Sequence, residues 1–352
     1  MTMTTALLAL AVGVLLAVLA HGWWSVRRVS PRQPRPGSPG ERVEPALGAE
    51  APAAVPQATE SADPQPGELP PSLPAVRPSA CLDALIDALV VLTVEAPVPG
   101  ELALAHLPAS RRAGSKPMHV EGLEAGSGQW EVPLPGRTYT EFQAGVQLAN
   151  RSGALNEIEY SEFVQKVQAF AEGVGAMADF PDMLEVVARA RELDEFASPL
   201  DAQITLTLRA RAVPWSVGYL VQCAARHGFV PGVLPGRLVV PSAEEGAPPV
   251  LVLAFDPQAA LADDPQASAL REVVLSLDVP QTPGASEPFP QWYQVGAALA
   301  AELEASPVDD AGRPVTLGDF DAIARQLEQL YRALESRDLA AGTPAARRLF
   351  SG

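Results

Sequence analysis

The chain has 352 residues and a formal net charge of −17. That charge and the absence of a clustered Lys/Arg face exclude nucleic acid as a partner and disfavour broad adhesion to anionic lipid. The composition is 47% hydrophobic, which excludes disorder throughout, and the length is large for one domain and small for three.

The first segment is apolar. Ala6 to Ala20 carries no charge, and with Gly22, Trp23 and Trp24 it gives a run over 6–24. A helix of that length, at about 1.5 Å per residue, crosses a hydrocarbon core of roughly 30 Å. Arg27, Arg28, Arg32 and Arg35 follow at once, while Met1–Thr5 holds no charged side chain. The positive-inside rule then predicts a single-pass inner-membrane anchor over 1–29, N-terminus periplasmic and body cytoplasmic. A cleaved signal peptide is the alternative, but it calls for a basic segment ahead of a shorter apolar core. Residues 30–79 contain thirteen prolines and few side chains able to form a core. Proline removes backbone donors and restricts φ, so this stretch reads as a disordered, partly PPII-like tether.

The remainder reads as globular, in two stretches, 80–198 and 199–340, with a tail over 341–352. In the first, Leu89–Val94 reads as a strand, Glu101–Arg112 as a helix, and Met118–Leu123 and Trp130–Leu134 as strands. Tyr139–Ala149 alternates, with Phe142, Ala144, Val146 and Leu148 on one face. Asn156 opens a helix with Glu159 at the capping-box position, and Asp182–Phe196 forms another. In the second stretch Asp201–Ala210 alternates Ile204, Leu206 and Leu208 with Gln203, Thr205 and Thr207. A helix over Pro214–His227 follows, ended by Gly228. Arg237–Val240, Val250–Phe255 and Glu272–Val279 read as strands, Gln291–Glu304 as a helix, and Val308 and Val315 as minor strands. Thr316 caps a last helix that faces Phe320, Ile323, Leu327, Leu330 and Leu334 inward. The fold class expected is α+β: antiparallel sheet in a split β-α-β pattern with helices on one face. The element order of the two stretches matches, as in a diverged internal duplication; two unrelated α+β pieces remain the alternative.

The order of anchor, Pro-rich tether and split β-α-β domain resembles the ZipA family of bacterial cell-division proteins. The resemblance is carried by DAQITLTLRA, AARHGFVPG, LVLAFD, VVLSLDVP and GRPVTLGDFDAIARQLEQLYR, over Asp201 to about Leu339. Residues Cys81 to Ala197 have no counterpart in the best-known members. The resemblance implies a scaffold rather than an enzyme. It implies a domain that binds the C-terminal tail of the tubulin-like protein FtsZ on an open sheet face and tethers the division ring, the septal divisome, to the inner membrane at midcell. By position it implies a groove of Gln203, Thr205, Thr207, Leu234, Val252, Ala254, Asp256, Val274 and Ser276. The family groove is lined by Met, Phe, Val and Ile, so these positions are more polar. An inner-membrane scaffold for a different cytoplasmic protein is the alternative.

No nucleotide-binding glycine motif is present. His21, His106, His119 and His227 are scattered, with no Cys or Glu at metal spacing. Cys81 and Cys223 show neither metal nor redox spacing and read as buried, reduced thiols. Glu192, Asp194 and Glu195 read as a solvated face, and Trp130, Trp215 and Trp292 as core. Neither a cofactor, a metal, a small-molecule substrate nor a catalytic residue is therefore expected; the size of the body is all that motivates an anchored enzyme.

Overall fold

A computed structural model describes residues 82–262, 264, 268–309, 311–315 and 317–352. The expected anchor and tether, Cys81 and the helix-capping Thr316 lie outside the described residues. Among the described residues no helix is long and apolar enough to cross a membrane. The architecture is α+β, with antiparallel sheets and eight α-helices among the described residues.

The first half runs β1 (Asp87–Pro99), α1 (Gly100–His106), β2 (Arg112–Ala113), β3 (Lys116–Glu124), β4 (Trp130–Glu131) and β5 (Thr138–Gln147). The hairpin β6 (Ala149–Asn150) and β7 (Gly153–Ala154) leads to α2 (Glu157–Val174), β8 (Ala176–Asp179) and α3 (Met183–Ala197). Its sheet has the order β2-β3-β5-β1-β8, with β4 on β3. The capping box forms: Asn156 Oδ1 accepts from the N–H of Ile158 and Glu159, and Glu159 Oε2 accepts from the N–H of Asn156. Helix α2 lays Phe163, Val167 and Phe170 on the inward face of the sheet, where Phe170 meets Phe142 edge to face at 5.4 Å. Two expected elements are shorter. The helix begun at Glu101 stops at His106, just ahead of Pro108, and the strand at Trp130 stops at Glu131, ahead of Pro133 and Pro135. Proline lacks the N–H that either ladder needs and disfavours helix in the residue before it.

The second half runs β9 (Gln203–Ala210), α4 (Val217–Ala225), β10 (Val230–Pro231), β11 (Arg237–Val240), β12 (Leu251–Ala254), the single turn α5 (Pro257–Ala260), and β13 (Glu272–Asp278). Then come α6 (Pro288–Glu302), β14 (Ala305–Val308), α7 (Leu317–Glu335) and α8 (Pro344–Leu349). Its sheet has the order β10-β11-β12-β13-β9-β14. Helix α6 packs Trp292, Val295 and Leu299 against the inward face. A Cβ added at Gly296 would sit 2.8 Å from Leu206 Cδ2, and Trp292 Nε1 donates to the Leu275 carbonyl. Trp215 and Trp292 are fully buried, and burying a large apolar side chain contributes roughly 1.5–3 kcal/mol.

The two sheets share one plan. In chain order β1, α1, β3, β5, α2, β8, α3 run parallel to β9, α4, β12, β13, α6, β14, α7. The sheet order β3-β5-β1-β8 repeats as β12-β13-β9-β14.

The expected tail over 341–352 is instead part of the body. Helix α8 buries Ala346 and Leu349, and Phe350 after it is buried too. Arg348 grips Asp87 with two hydrogen bonds of 2.6 and 2.8 Å, and the Asp87 side chain is 0% exposed. Gln147 Nε2 donates to the Arg348 carbonyl and Gln281 Nε2 to that of Phe350, so this one helix is hydrogen-bonded to both halves. A second contact across the halves stacks Arg337 of the α7 end over the Phe196 ring at 4.8 Å and pairs it with Glu192.

Candidate functional site

Alternation along β9, β12 and β13 turns Leu206, Leu208, Leu251, Leu253, Val273, Leu275 and Leu277 toward the helices. The intervening side chains therefore share the opposite face, and strand pairing sets them in rows. One row runs Arg237, Ala254, Val274, Thr207 and Val308; the next runs Val230, Val239, Val252, Ser276 and Thr205. Except for exposed Arg237 and Val230 and buried Val308, these side chains are half-buried.

Of the positions expected to form a groove, Thr205, Thr207, Val252, Ala254, Val274 and Ser276 are brought together on this face. Gln203 pairs with Asp278 at its end. Leu234 lies in the exposed turn between β10 and β11, 55% exposed. Asp256 lies past the end of β12, where its Oδ1 accepts the Gln258 N–H and caps α5. The strand register adds Val230, Val239 and Val308, which carry no signal without the pairing. The face is consequently more apolar than its expected positions alone suggest. Its hydroxyls also present less polarity than their number implies: Ser276 Oγ donates to the Val252 carbonyl at 3.3 Å. Covering a hydrogen-bonded hydroxyl costs far less than covering an unpaired one.

Charge is confined to the margins. At one end Arg209 Nε pairs with Glu272 Oε1 at 2.6 Å. At the other, Arg151 from the β6–β7 turn holds Asp201 at 2.7 Å and Asp278 at 2.9 Å. Burial pushes the Asp278 carboxyl above its ordinary value; adjacent Arg151 pulls it down and Asp201 raises it further, leaving a net rise.

The corresponding face of the first sheet is built from Leu89, Val91, Thr93, His119, Glu121, Leu123, Glu141, Gln143, Gly145, Met177 and Asp179. Part of it is covered by the chain itself. Leu82 lies over Gly145, where an added Cβ would meet Leu82 Cδ2 at 2.4 Å and Leu89 Cδ2 at 3.0 Å. The Leu82 N–H donates to Glu121 Oε1, and Glu121 Oε2 accepts from Gln143 Nε2. Val91 and Met177 remain 48% and 77% exposed.

Other clusters lie apart from these rows. Lys116 is 1% exposed, and its Nζ donates to Ser115 Oγ and Asn150 Oδ1. Burial depresses its pKa, against the pull of Glu159 and Asp194. Ser115 N–H and Oγ both donate to Glu159 Oε1, so the cluster ties the β2–β3 turn to the α2 N-terminus and the β6–β7 hairpin. Its bonds are internal, and the lysine is sealed from any substrate. His227 Nε2 lies 3.3 Å from Glu302 Oε1, with Arg226 on the same carboxylate. A cleft of about 480 Å³ beside Ile204, Trp292, Val315 and Ile323 has Asp309 and Arg313 on its rim, paired with each other at 2.7 Å. Cys223 is buried, which raises its thiol pKa. Glu192, expected in a solvated cluster, pairs with Arg337. Trp130 is only half-buried. Among the described residues no three of His, Cys, Asp or Glu come together as a metal-holding group.

No family model matches the chain, and no curated protein matches it at a significant level.

Proposed function

We propose that the chain is a membrane-anchored adaptor of the ZipA kind, which takes the C-terminal tail of FtsZ across the helix-free face of its second sheet. It would then tether the division ring to the inner membrane at midcell. The observation that carries this reading is the face itself: Val239, Val252, Ala254 and Val274 lie on adjacent strands, opposite the helices, with charge held to the margins. An extended or amphipathic peptide derives its affinity on such a surface from a few apolar anchors. The apolar run over 6–24 and the Pro-rich run over 30–79 supply the anchor and the reach. The shared strand order supports an origin of the two halves by duplication. The adaptor acts by binding, with no enzymatic step, cofactor or small-molecule substrate.

The test is co-sedimentation of the detergent-solubilised full chain with FtsZ polymers, intact and lacking the tail. Pelleting with intact polymers alone supports the reading; equal pelleting with tailless polymers sinks it. A fluorescent fusion spread evenly around the cell and never at midcell would favour an inner-membrane scaffold with another cytoplasmic partner.

A further inference from the structure

We propose that Arg237 is the carboxylate anchor of the second sheet's open face, so that the docked peptide lies with an acidic group at the β11 end. This inference rests on the peptide-docking reading above and adds the chemistry and polarity of the ligand.

Arg237 heads one row of the face. It pairs directly with Ala254, which pairs with Val274, which pairs with Thr207. Its neighbour Leu238 is buried inward, so the Arg237 side chain leaves the sheet on the helix-free side. Two charged pairs border this face already satisfied, Arg209 by Glu272 and Asp278 by Arg151, and Asp256 past Ala254 is engaged in capping α5. Arg237 is exposed, and its guanidinium has no hydrogen-bond or ion-pair partner among the described residues. Val230 on the same face is 45% exposed, and Val233 and Leu234 in the adjoining turn are 102% and 55% exposed. A lone cation with apolar side chains on both flanks suits a peptide whose carboxylate sits beside aliphatic anchors. Guanidinium takes a carboxylate through two parallel hydrogen bonds, which fixes direction as well as adding affinity. The chain as a whole carries −17 and so repels acidic ligands in general; an acidic group gains here only through a local cation, which makes the position selective. The carboxylate is either the peptide's C-terminus or an Asp or Glu side chain.

The experiment measures binding of a fluorescein-labelled synthetic FtsZ tail peptide to the purified full chain by anisotropy. Arg237→Glu should weaken binding about tenfold or more and Arg237→Gln somewhat less, with unchanged thermal unfolding. Amidating the peptide C-terminus, or replacing its acidic side chains by amides, should reproduce that loss in one arm only. The arm that does so names the carboxylate, and its loss should not add to that of Arg237→Glu. A peptide with lysine in place of that carboxylate-bearing residue should bind Arg237→Glu better than the wild type. If both Arg237 variants bind within twofold of wild type while Val274→Asp abolishes binding, the anchor role is overturned and the docking face stands. If the wild type binds no form of the peptide, the docking reading falls.

Discussion

The two halves share one strand order yet treat their helix-free faces differently. The first sheet seats its own Leu82 over Gly145 and holds that residue's N–H with a buried carboxylate, Glu121. The second sheet presents two rows of aliphatic and hydroxyl side chains with its charges at the margins. The difference teaches that topology alone does not specify a docking surface. One backbone plan gives a partly self-covered face where a glycine admits a neighbouring leucine, and a face without that cover where Val252, Val274 and Ser276 occupy the corresponding strands.

The largest expected effect concerns what joins the halves. Arg348→Ala leaves the buried Asp87 carboxylate without its ion-pair partner, with only the Asp83 N–H still donating to it, and stripping one member from a buried pair costs about 3–5 kcal/mol. Urea unfolding of the full chain should show that loss. A change below about 1 kcal/mol would mean that the halves are united without help from this ion pair. Next comes the open face. Val274→Asp puts a charge in the middle of the rows and should lower affinity for the FtsZ tail peptide by more than tenfold while moving stability by less than about 1 kcal/mol, since the side chain is only half-buried. A like change on the helix-free face of the other sheet, Val91→Asp, should leave peptide affinity unchanged, and equal losses would erase the distinction between the faces.

A smaller effect is expected at the covered face. Leu82→Ala removes a half-buried side chain and should cost about 1–2 kcal/mol in thermal or urea unfolding. Gly145→Ala should cost a similar amount, because the new methyl group displaces Leu82. The smallest effect is a pH dependence of opposite sign in the two halves. Burial works against ionisation of Glu159, yet hydrogen bonds from Ser115 and Asn156 outweigh it and hold its carboxyl below the ordinary value. Its contribution to stability is present above the unfolded pKa and lost as pH falls through the folded one. Asp278, raised by burial, contributes in the other direction: its contribution is present at acid pH and lost as pH rises through its folded pKa. Stability measured from pH 7 to 3 should therefore fall less steeply in Glu159→Gln, and more steeply in Asp278→Asn, than in the wild type.

Much of this fold is legible locally. The alternation in 203–210 and 272–278, the Asn156 capping box and the Asp182 cap are short-range patterns, and the elements form where those patterns lie. What escapes is non-local. Strand β8 is four residues, Ala176–Asp179, too brief to show a period, and it exists because β1 offers it an edge. Helix α8 lies in what reads as a tail, and its Arg348 and the Phe350 after it find their partners more than sixty residues away. The face shows the same division. The outward residues of β9 and β13 follow from alternation within one strand. Val230, Val239 and Arg237 join them only through a register between strands. Asp256 reads as a continuation of β12 by parity, but Pro257 begins a helical turn there and turns the aspartate into a cap.

Leu82 is the first described residue, and Asp87, five residues on, is the residue clasped by Arg348. A pull on Leu82 is therefore delivered to β1. That strand is bonded to β5 along one side and, over Val91–Val94, to β8 along the other. The Arg348 clasp passes part of the same pull to the helix hydrogen-bonded to the second half. The start of β1 is thus held from three sides, by β5 through its register, by Glu121 through Leu82 and by Arg348 through Asp87.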